Sequence, residues 1–382
     1  MLFDFLVPQR IIFGPGCAGR LGEEARIFGK KLLLCMGKGS LQTSGMIERV
    51  IAPLESTDRE IVYCGGIATE PTLESVEESL KIAREYEVDL VVGVGGGSVL
   101  DVAKATAGLY YGDGTVKEYF EGKELKLPGL PWIAVPTTAG SGAEVTKNAV
   151  LSDPDSGRKQ SIRWDSWLAS TAVVDPVLTM TMPRHITAQS GMDALTHALE
   201  AYTSRWSYPM TDGLALEAVI LICRNLYSAY NKGSDKEARQ QVALGSLMAG
   251  IALNNARVGA VHALAHPVGM RYHLAHGLVC AVLLPQIMEF NLTAVAEKYA
   301  RVAKELHLAN KDASSLDAAE RLVHFVRMLQ KRLQIPAKLG DVGLQEEDIP
   351  GLAESALPSG SLAANPRTAV YSDLVKILEA NL

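Results

Sequence analysis

Residues 90–108, LVVGVGGGSVLDVAKATAG, constrain the fold of this chain more than any other stretch. Leu90 to Val94 is a short apolar run of the kind a strand makes when both its faces are covered. Gly95, Gly96 and Gly97 follow at once, and the residues after Ser98 read as a helix. Ser98 and Asp101 have the S-x-x-D spacing of a capping box, which predicts where that helix starts. Glycines let backbone N–H groups approach an anion closely, and a helix N-terminus adds a favourable dipole. Strand, glycine turn and helix in this order predict a phosphate cradle, because open α/β sheets bind ligands at the carboxyl ends of their strands. The spacing is not GxGxxG, and the same residues also suit a tight turn that holds nothing.

The same alternation repeats around this stretch. Arg10–Phe13, Leu32–Met36, Ile61–Cys64 and Trp132–Val135 read as strands. Residues 18–29, a segment from Ser40 to about residue 57, and residues 72–87 read as helices. Strands alternating with helices imply βαβ units and a mostly parallel sheet. Pro136 to Gly142 (PTTAGSG) follows the strand WIAV and puts the hydroxyls of Thr137, Thr138 and Ser141 at a strand's carboxyl end. After Asp175-Pro176 the periodicity becomes helical, over 184–204, 209–231, 236–256, 258–271, 277–291, 294–306, 314–333 and 368–381. Residues 358–365 (PSGSLAAN) read as a surface loop. The expected organisation is an α/β domain over 1–180 and an all-helical domain over 181–382.

Composition narrows the class. A chain of 382 residues with 48% hydrophobic and 21% charged residues can bury a large core. A net charge of -6 and the absence of a Lys/Arg block argue against nucleic acid as a partner. Five cysteines without a CxxC argue against a disulfide framework and a Cys-rich zinc site. No secretory leader and no 18-residue uninterrupted apolar run is read, so a cytoplasmic protein without a membrane span is expected.

The stretch from His262 to His276, HALAHPVGMRYHLAH, holds four of the chain's eight histidines. His262 and His266 are four residues apart, and so are Asp193 and His197 in GMDALTHALEAY; each pair shares a helix face. His276 follows a segment containing Gly269 that can fold back and bring a third imidazole near the first. Such spacings also occur in surface pairs. Two of them inside apolar helices suggest a metal, because buried ionisable groups must be paired or coordinated.

GGGSVLDVAK at 95–104, PTTAGSGAEVT at 136–146, DPVLTMTMP at 175–183, GMDALTHALEAY at 191–202 and HALAHPVG…HLAHG at 262–277 together resemble the iron-containing (group III) alcohol dehydrogenase family. The motifs stand in the family's order and cover most of the chain. The resemblance implies a Rossmann-like N-terminal domain and an all-α C-terminal domain, the architecture also found in dehydroquinate synthase, with the active site in the cleft between them. It implies metal ligands at Asp193, His197, His262 and His276, and a non-ligand histidine near the nicotinamide at His266, where an imidazole can relay a proton. It implies cofactor contacts at Gly95, Gly96, Gly97, Ser98, Asp101, Thr137, Thr138, Ser141 and Lys159. His273 carries no family role.

The implied activity is interconversion of a small alcohol and its aldehyde or ketone, with NAD or NADP and one Fe2+. Zn2+ is also compatible, since N/O donors do not select iron by affinity. NAD-preferring relatives often carry an Asp after the second strand; here Gly37 stands there, with Lys38, Gly39 and Ser40, which leaves room and positive charge for a 2′-phosphate. A homodimer or larger homo-oligomer is expected through the strand RIIF. A zinc glycerol dehydrogenase-like or other polyol or hydroxy-acid dehydrogenase is the alternative reading, and a non-enzymatic nucleotide-binding protein a more distant one.

Overall fold

The computed structural model describes residues 2–38 and 45–382, so Gly39 and Ser40 lie outside the described residues. The chain forms two compact units, Met1–Thr181 and Met182–Leu382.

The first unit contains β1 (Arg10–Phe13), α1 (Leu21–Ala25), β2 (Lys31–Gly37), α2 (Glu48–Glu55), β3 (Glu60–Ile67), α3 (Leu73–Glu85), β4 (Leu90–Gly95), α4 (Gly97–Leu109), α5 (Val116–Phe120), β5 (Trp132–Pro136), β6 (Asn148–Asp153), β7 (Arg158–Arg163) and β8 (Thr171–Val174). Six strands form one parallel sheet in the order β1-β8-β5-β4-β2-β3. Successive residues of a strand point to opposite faces. Leu33, Cys35, Val91, Trp132 and Ala134 therefore join α3 and α4 in one core. Leu32, Leu34, Val92, Val94, Ile133 and Val135 join α1 and α2 in another. Two covered faces explain why β4 and β5, and β2 from Leu32 onward, carry no charged residue. This is the open α/β sheet expected, of the Rossmann-like kind.

Three features differ from expectation. The hairpin β6–β7 is antiparallel and stands apart from the main sheet. Its turn, Pro154 to Gly157, has a left-handed Gly157 at φ 62°, but RKQSIR lacks the apolar alternation that marks a strand. The four residues of β8 (TAVV) are fully buried between β1 and β5 and too short to stand out. Ser98 and Asp101 form no capping box: Gly96 is the N-cap of α4, with no side-chain cap. Ser98 Oγ donates to the Thr69 carbonyl instead. The Asp101 carboxylate accepts the Val150 N–H at 3.0 Å and pairs with fully buried Lys104 at 3.7 Å. A buried ammonium needs a counter-charge, so Asp101 is drawn away from the helix end.

The second unit is helical: α6 (Arg184–Thr203), α7 (Pro209–Asn231), α8 (Lys236–Ala256), α9 (Ala260–Tyr272), α10 (His276–Glu305), α11 (Ser315–Arg332), α12 (Ile349–Ala356), α13 (Gly360–Ala364) and α14 (Tyr371–Glu379). The two helices expected over 277–291 and 294–306 both form and meet within α10 at a kink, where Val295 takes φ -133° and ψ 22°. α10 has the length and composition to cross a membrane, yet most of it is buried inside the protein; Gln286 and Glu289 interrupt its apolar run. Residues 358–365 are not a surface loop. They contain α13, and buried Asn365 accepts the Ala260 N–H at 3.2 Å and exchanges hydrogen bonds with Asn291. A short polar side chain can satisfy a helix start from far along the chain, which a Gly/Ser-rich composition conceals.

Candidate active site

Three helices of the second unit converge on Asp193. On α6, Asp193 and His197 are one turn apart; α9 carries His262 and α10 begins with His276. The chain reverses between α9 and α10 at His273, which takes φ 52° and ψ 37°. Gly269 stays inside α9, and its carbonyl accepts the Leu274 N–H at 3.1 Å. The fold-back thus depends on a left-handed His273, a structural role for an exposed residue, and not on Gly269. Gly277 matters more. A Cβ there would stand 2.7 Å from the Gln189 carbonyl, so any side chain would push α10, and His276 with it, off α6.

Asp193 Oδ1 stands 3.8 Å from His197 Nε2, 3.9 Å from His262 Nε2 and 3.7 Å from His276 Nε2. It is buried and accepts no hydrogen bond. Four donors about 2.1 Å from a tetrahedral ion stand about 3.4 Å apart. The observed spacing is that of donors around one cation, slightly relaxed, and the orphaned oxygen is what a cation would satisfy. His276 is the open side: its side chain is 30% exposed against 7% or less for Asp193, His197 and His262.

Electrostatics favours the same use. Burial raises the Asp193 carboxyl, but His197, His276 and His262 outweigh burial and hold it below the ordinary carboxylate value. Burial, with His197 beside it, lowers His262 well below the ordinary histidine value, so its ring is neutral and keeps a lone pair. Glu200 decides which nitrogen is free. Its Oε2 lies 2.6 Å from His262 Nδ1 and its Oε1 accepts the Val261 N–H at 2.7 Å. Nδ1–H donating to the carboxylate leaves Nε2 bare and aimed at Asp193, the carboxylate–histidine arrangement that orients metal ligands. Burial pushes the Glu200 carboxyl up to about 7.

Glu200 and Cys280 were not anticipated. Glu200 is seven residues after Asp193 and three after His197, hence on the same helix face. Cys280 is one turn after His276, with Sγ 3.5 Å from His276 Nε2. Both signals were legible as helical spacing. His266 is half-buried, with its ring 5.4 Å from that of His276.

In the first unit the β4–α4 turn and the loop after β5 meet. Thr137 N–H donates to the Gly95 carbonyl at 2.9 Å. A Cβ on Gly97 would lie 2.8 Å from Ser141 Oγ, and one on Gly96 3.5 Å from the Thr138 methyl. Gly95, Gly96, Gly97, Ser98, Thr137, Thr138 and Ser141 are thus gathered at the carboxyl ends of β4 and β5. Lys159 lies on β7 and pairs with Glu70 at 2.8 Å. Gly37 ends β2, and Lys38 is exposed just beyond it.

Comparison with known proteins gives the family. The profile described as "Iron-containing alcohol dehydrogenase" matches residues 8–176, and that described as "Fe-containing alcohol dehydrogenase family, C-terminal" matches residues 187–382. The chain belongs to the iron-containing alcohol dehydrogenase family. It is 38% identical over 380 residues to a 1,3-propanediol dehydrogenase of Citrobacter freundii, covering 98% of each chain. It is 38% identical over 381 residues to long-chain-alcohol dehydrogenase 1 of Geobacillus thermodenitrificans, covering 97% of this chain and 96% of that one. The crystal structure of a 1,3-propanediol oxidoreductase superposes with a TM-score of 0.96 at 37% identity, covering 100% of both chains. Membership makes this chain an oxidoreductase that interconverts alcohols and aldehydes; Fe2+ and NAD(H) or NADP(H) are the family's cofactors.

Proposed function

We propose that this protein oxidises small primary alcohols and diols, or reduces the matching aldehydes, at a centre held by Asp193, His197, His262 and His276. The observation that carries the reading is the buried Asp193 Oδ1, unpartnered and 3.7–3.9 Å from three imidazole nitrogens. When bound, the metal supplies a Lewis acid for the substrate oxygen and the nicotinamide supplies or accepts hydride. The chain's own part is orientation. Glu200 fixes His262 with Nε2 free, the donors on Asp193, His197 and His262 are buried, and partly exposed His276 leaves the approach side.

The turn at Gly95–Ser98, with Thr137, Thr138 and Ser141 beside it, is suited to the cofactor's phosphates and ribose; Lys159 completes the proposed cofactor residues, and Asp101, committed to Lys104 and the Val150 N–H, is left out of them. The two named relatives act on a short diol and on long-chain alcohols at equal identity, so similarity does not choose chain length. A panel of alcohols and aldehydes, followed by the change in NAD(P)H absorbance, tests this: turnover confined to acidic substrates such as 4-hydroxybutyrate would refute it.

His266 is proposed to relay the released proton. His266→Ala is expected to retain the metal and slow turnover about tenfold, because water can reach a half-buried site and partly replace the imidazole. Metal loss in this variant, read by elemental analysis, would move His266 among the ligands.

Gly37 and Lys38 favour NADP(H) used at least as well as NAD(H). A carboxylate at position 37 would repel the 2′-phosphate. A Cβ there meets Val99 at 3.3 Å, so that side chain must shift by a few tenths of an ångström. Gly37→Asp should shift kcat/KM toward NAD by about tenfold, or about 1.4 kcal/mol. An unchanged ratio would contradict the reading.

β1 is the terminal strand of the sheet, paired with β8 on one side. Pairing of β1 with β1 of a second copy would complete it. A homodimer or larger even oligomer, working in the cytoplasm, is proposed; a 41.0 kDa monomer by light scattering at micromolar concentration would refute the assembly.

A further inference from the structure

The helix that carries His262 starts without a side-chain cap of its own. Gly259 is the N-cap of α9 and offers no acceptor, so the first N–H groups of the helix need partners from elsewhere. Two side chains supply them. Asn365 Oδ1 accepts the Ala260 N–H at 3.2 Å, and Glu200 Oε1 accepts the Val261 N–H at 2.7 Å. Both acceptors close over Gly259: a Cβ there would stand 2.9 Å from each of them. His262 follows Val261 directly, so its ring projects from the turn that these two oxygens hold.

Asn365 is buried, and its amide is fully engaged. Its Oδ1 also accepts from Asn291 Nδ2 at 3.0 Å, and its Nδ2 donates to Asn291 Oδ1 and to the Arg367 carbonyl, both at 2.7 Å. Two accepted and two donated bonds fill the capacity of a side-chain amide. They also fix its orientation, because a flipped amide would turn a donor toward the Ala260 N–H. Asn291 lies on α10, the helix that His276 begins. Asn365 therefore ties the start of α9 to α10, as Glu200 ties it to α6. The competing use of Asn365 is a buried amide pair that only packs the C-terminal segment against α10. That use gives the Ala260 N–H no part in the site.

We propose that Asn365 is a positioning residue for the metal centre, holding the first turn of α9 so that His262 Nε2 faces Asp193. This rests on the assignment of His262 as a ligand. Glu200 orients the ring from Nδ1, and Asn365 fixes the backbone from which the ring projects. Loss of the Asn365 amide leaves every proposed donor in place and loosens the placement of one of them, which weakens metal binding.

Chelator competition on the full-length protein loaded with Zn2+ alone, and with Fe2+ alone under anaerobic conditions, tests this together with the Tm of the metal-free protein. Asn365→Ala and Asn291→Ala each break the amide pair, and each should lower the metal-free Tm. Asn365→Ala also takes the acceptor from the Ala260 N–H, which Asn291→Ala leaves in place. The metal Kd should therefore rise about tenfold in Asn365→Ala and less than about threefold in Asn291→Ala. If Asn365→Ala does not fold, the double variant Asn365→Ala/Asn291→Ala leaves no amide of the pair unpartnered in the core and is read in its place, with the same tenfold rise expected. A Kd that is unchanged on loss of Asn365, or that rises equally in Asn291→Ala, overturns the positioning role and leaves the four-ligand reading standing. Wild-type protein that retains neither metal overturns both.

Discussion

His262→Ala and His276→Ala are each expected to leave a folded protein that retains no metal and turns over at least about a thousandfold more slowly. Loss of a Lewis acid removes several kcal/mol of transition-state stabilisation, and about 4 kcal/mol corresponds to that factor. The two variants differ in an instructive way. His262 is buried against Glu200, so its removal also leaves a carboxylate without its partner and a cavity behind. His276 is 30% exposed at the start of α10, so His276→Ala disturbs packing least and is the cleaner test. Elemental analysis with circular dichroism reads both properties. One metal per chain at wild-type affinity in His276→Ala would remove it from the ligand set.

Glu200 carries the second large effect. Glu200→Ala takes away the acceptor for His262 Nδ1–H and for the Val261 N–H, both buried. His262 then loses the contact that selects its tautomer. Groups that orient a ligand in this way change metal affinity by about 10–100-fold, and Glu200→Ala is expected near 100-fold. Glu200→Gln keeps an acceptor but not a charge and is expected near tenfold. Competition with a chelator gives the Kd values. An unchanged Kd in Glu200→Ala, with the fold intact, would reduce Glu200 to a helix-packing role.

The two variants also show what the sequence made legible. Helical spacing put Asp193 with His197 and His262 with His266 on shared faces, and the helices α6 and α9 formed nearly where periodicity put them; choosing His262 rather than His266 as a ligand came from the family resemblance. Glu200 lay in the same motif and obeyed the same spacing, yet its value depends on α9 crossing α6, which one helix cannot disclose. The same holds for Cys280, which spacing alone ties only to His276. In the sheet, runs such as LVVGV announced strands because both faces are covered. RKQSIR in β7 did not, since its hairpin stands apart from the main sheet and keeps polar side chains half-exposed. Asp101 was misread for a related reason: local spacing suggested a cap, and a buried lysine with a neighbouring strand N–H claimed the carboxylate instead. Asn365 repeats the lesson, because its partners lie on α9 and α10, far away in the chain.

Anaerobic titration of metal-free protein with Fe2+, followed by the rate of NAD(P)H absorbance change on a short-chain aldehyde, tests the central assignment most directly. Activity should rise linearly and stop at one equivalent per chain, and metal-free His276→Ala should gain none. Full activity in the metal-free protein, or a titration with no break near one equivalent, would contradict a catalytic ion held by Asp193, His197, His262 and His276.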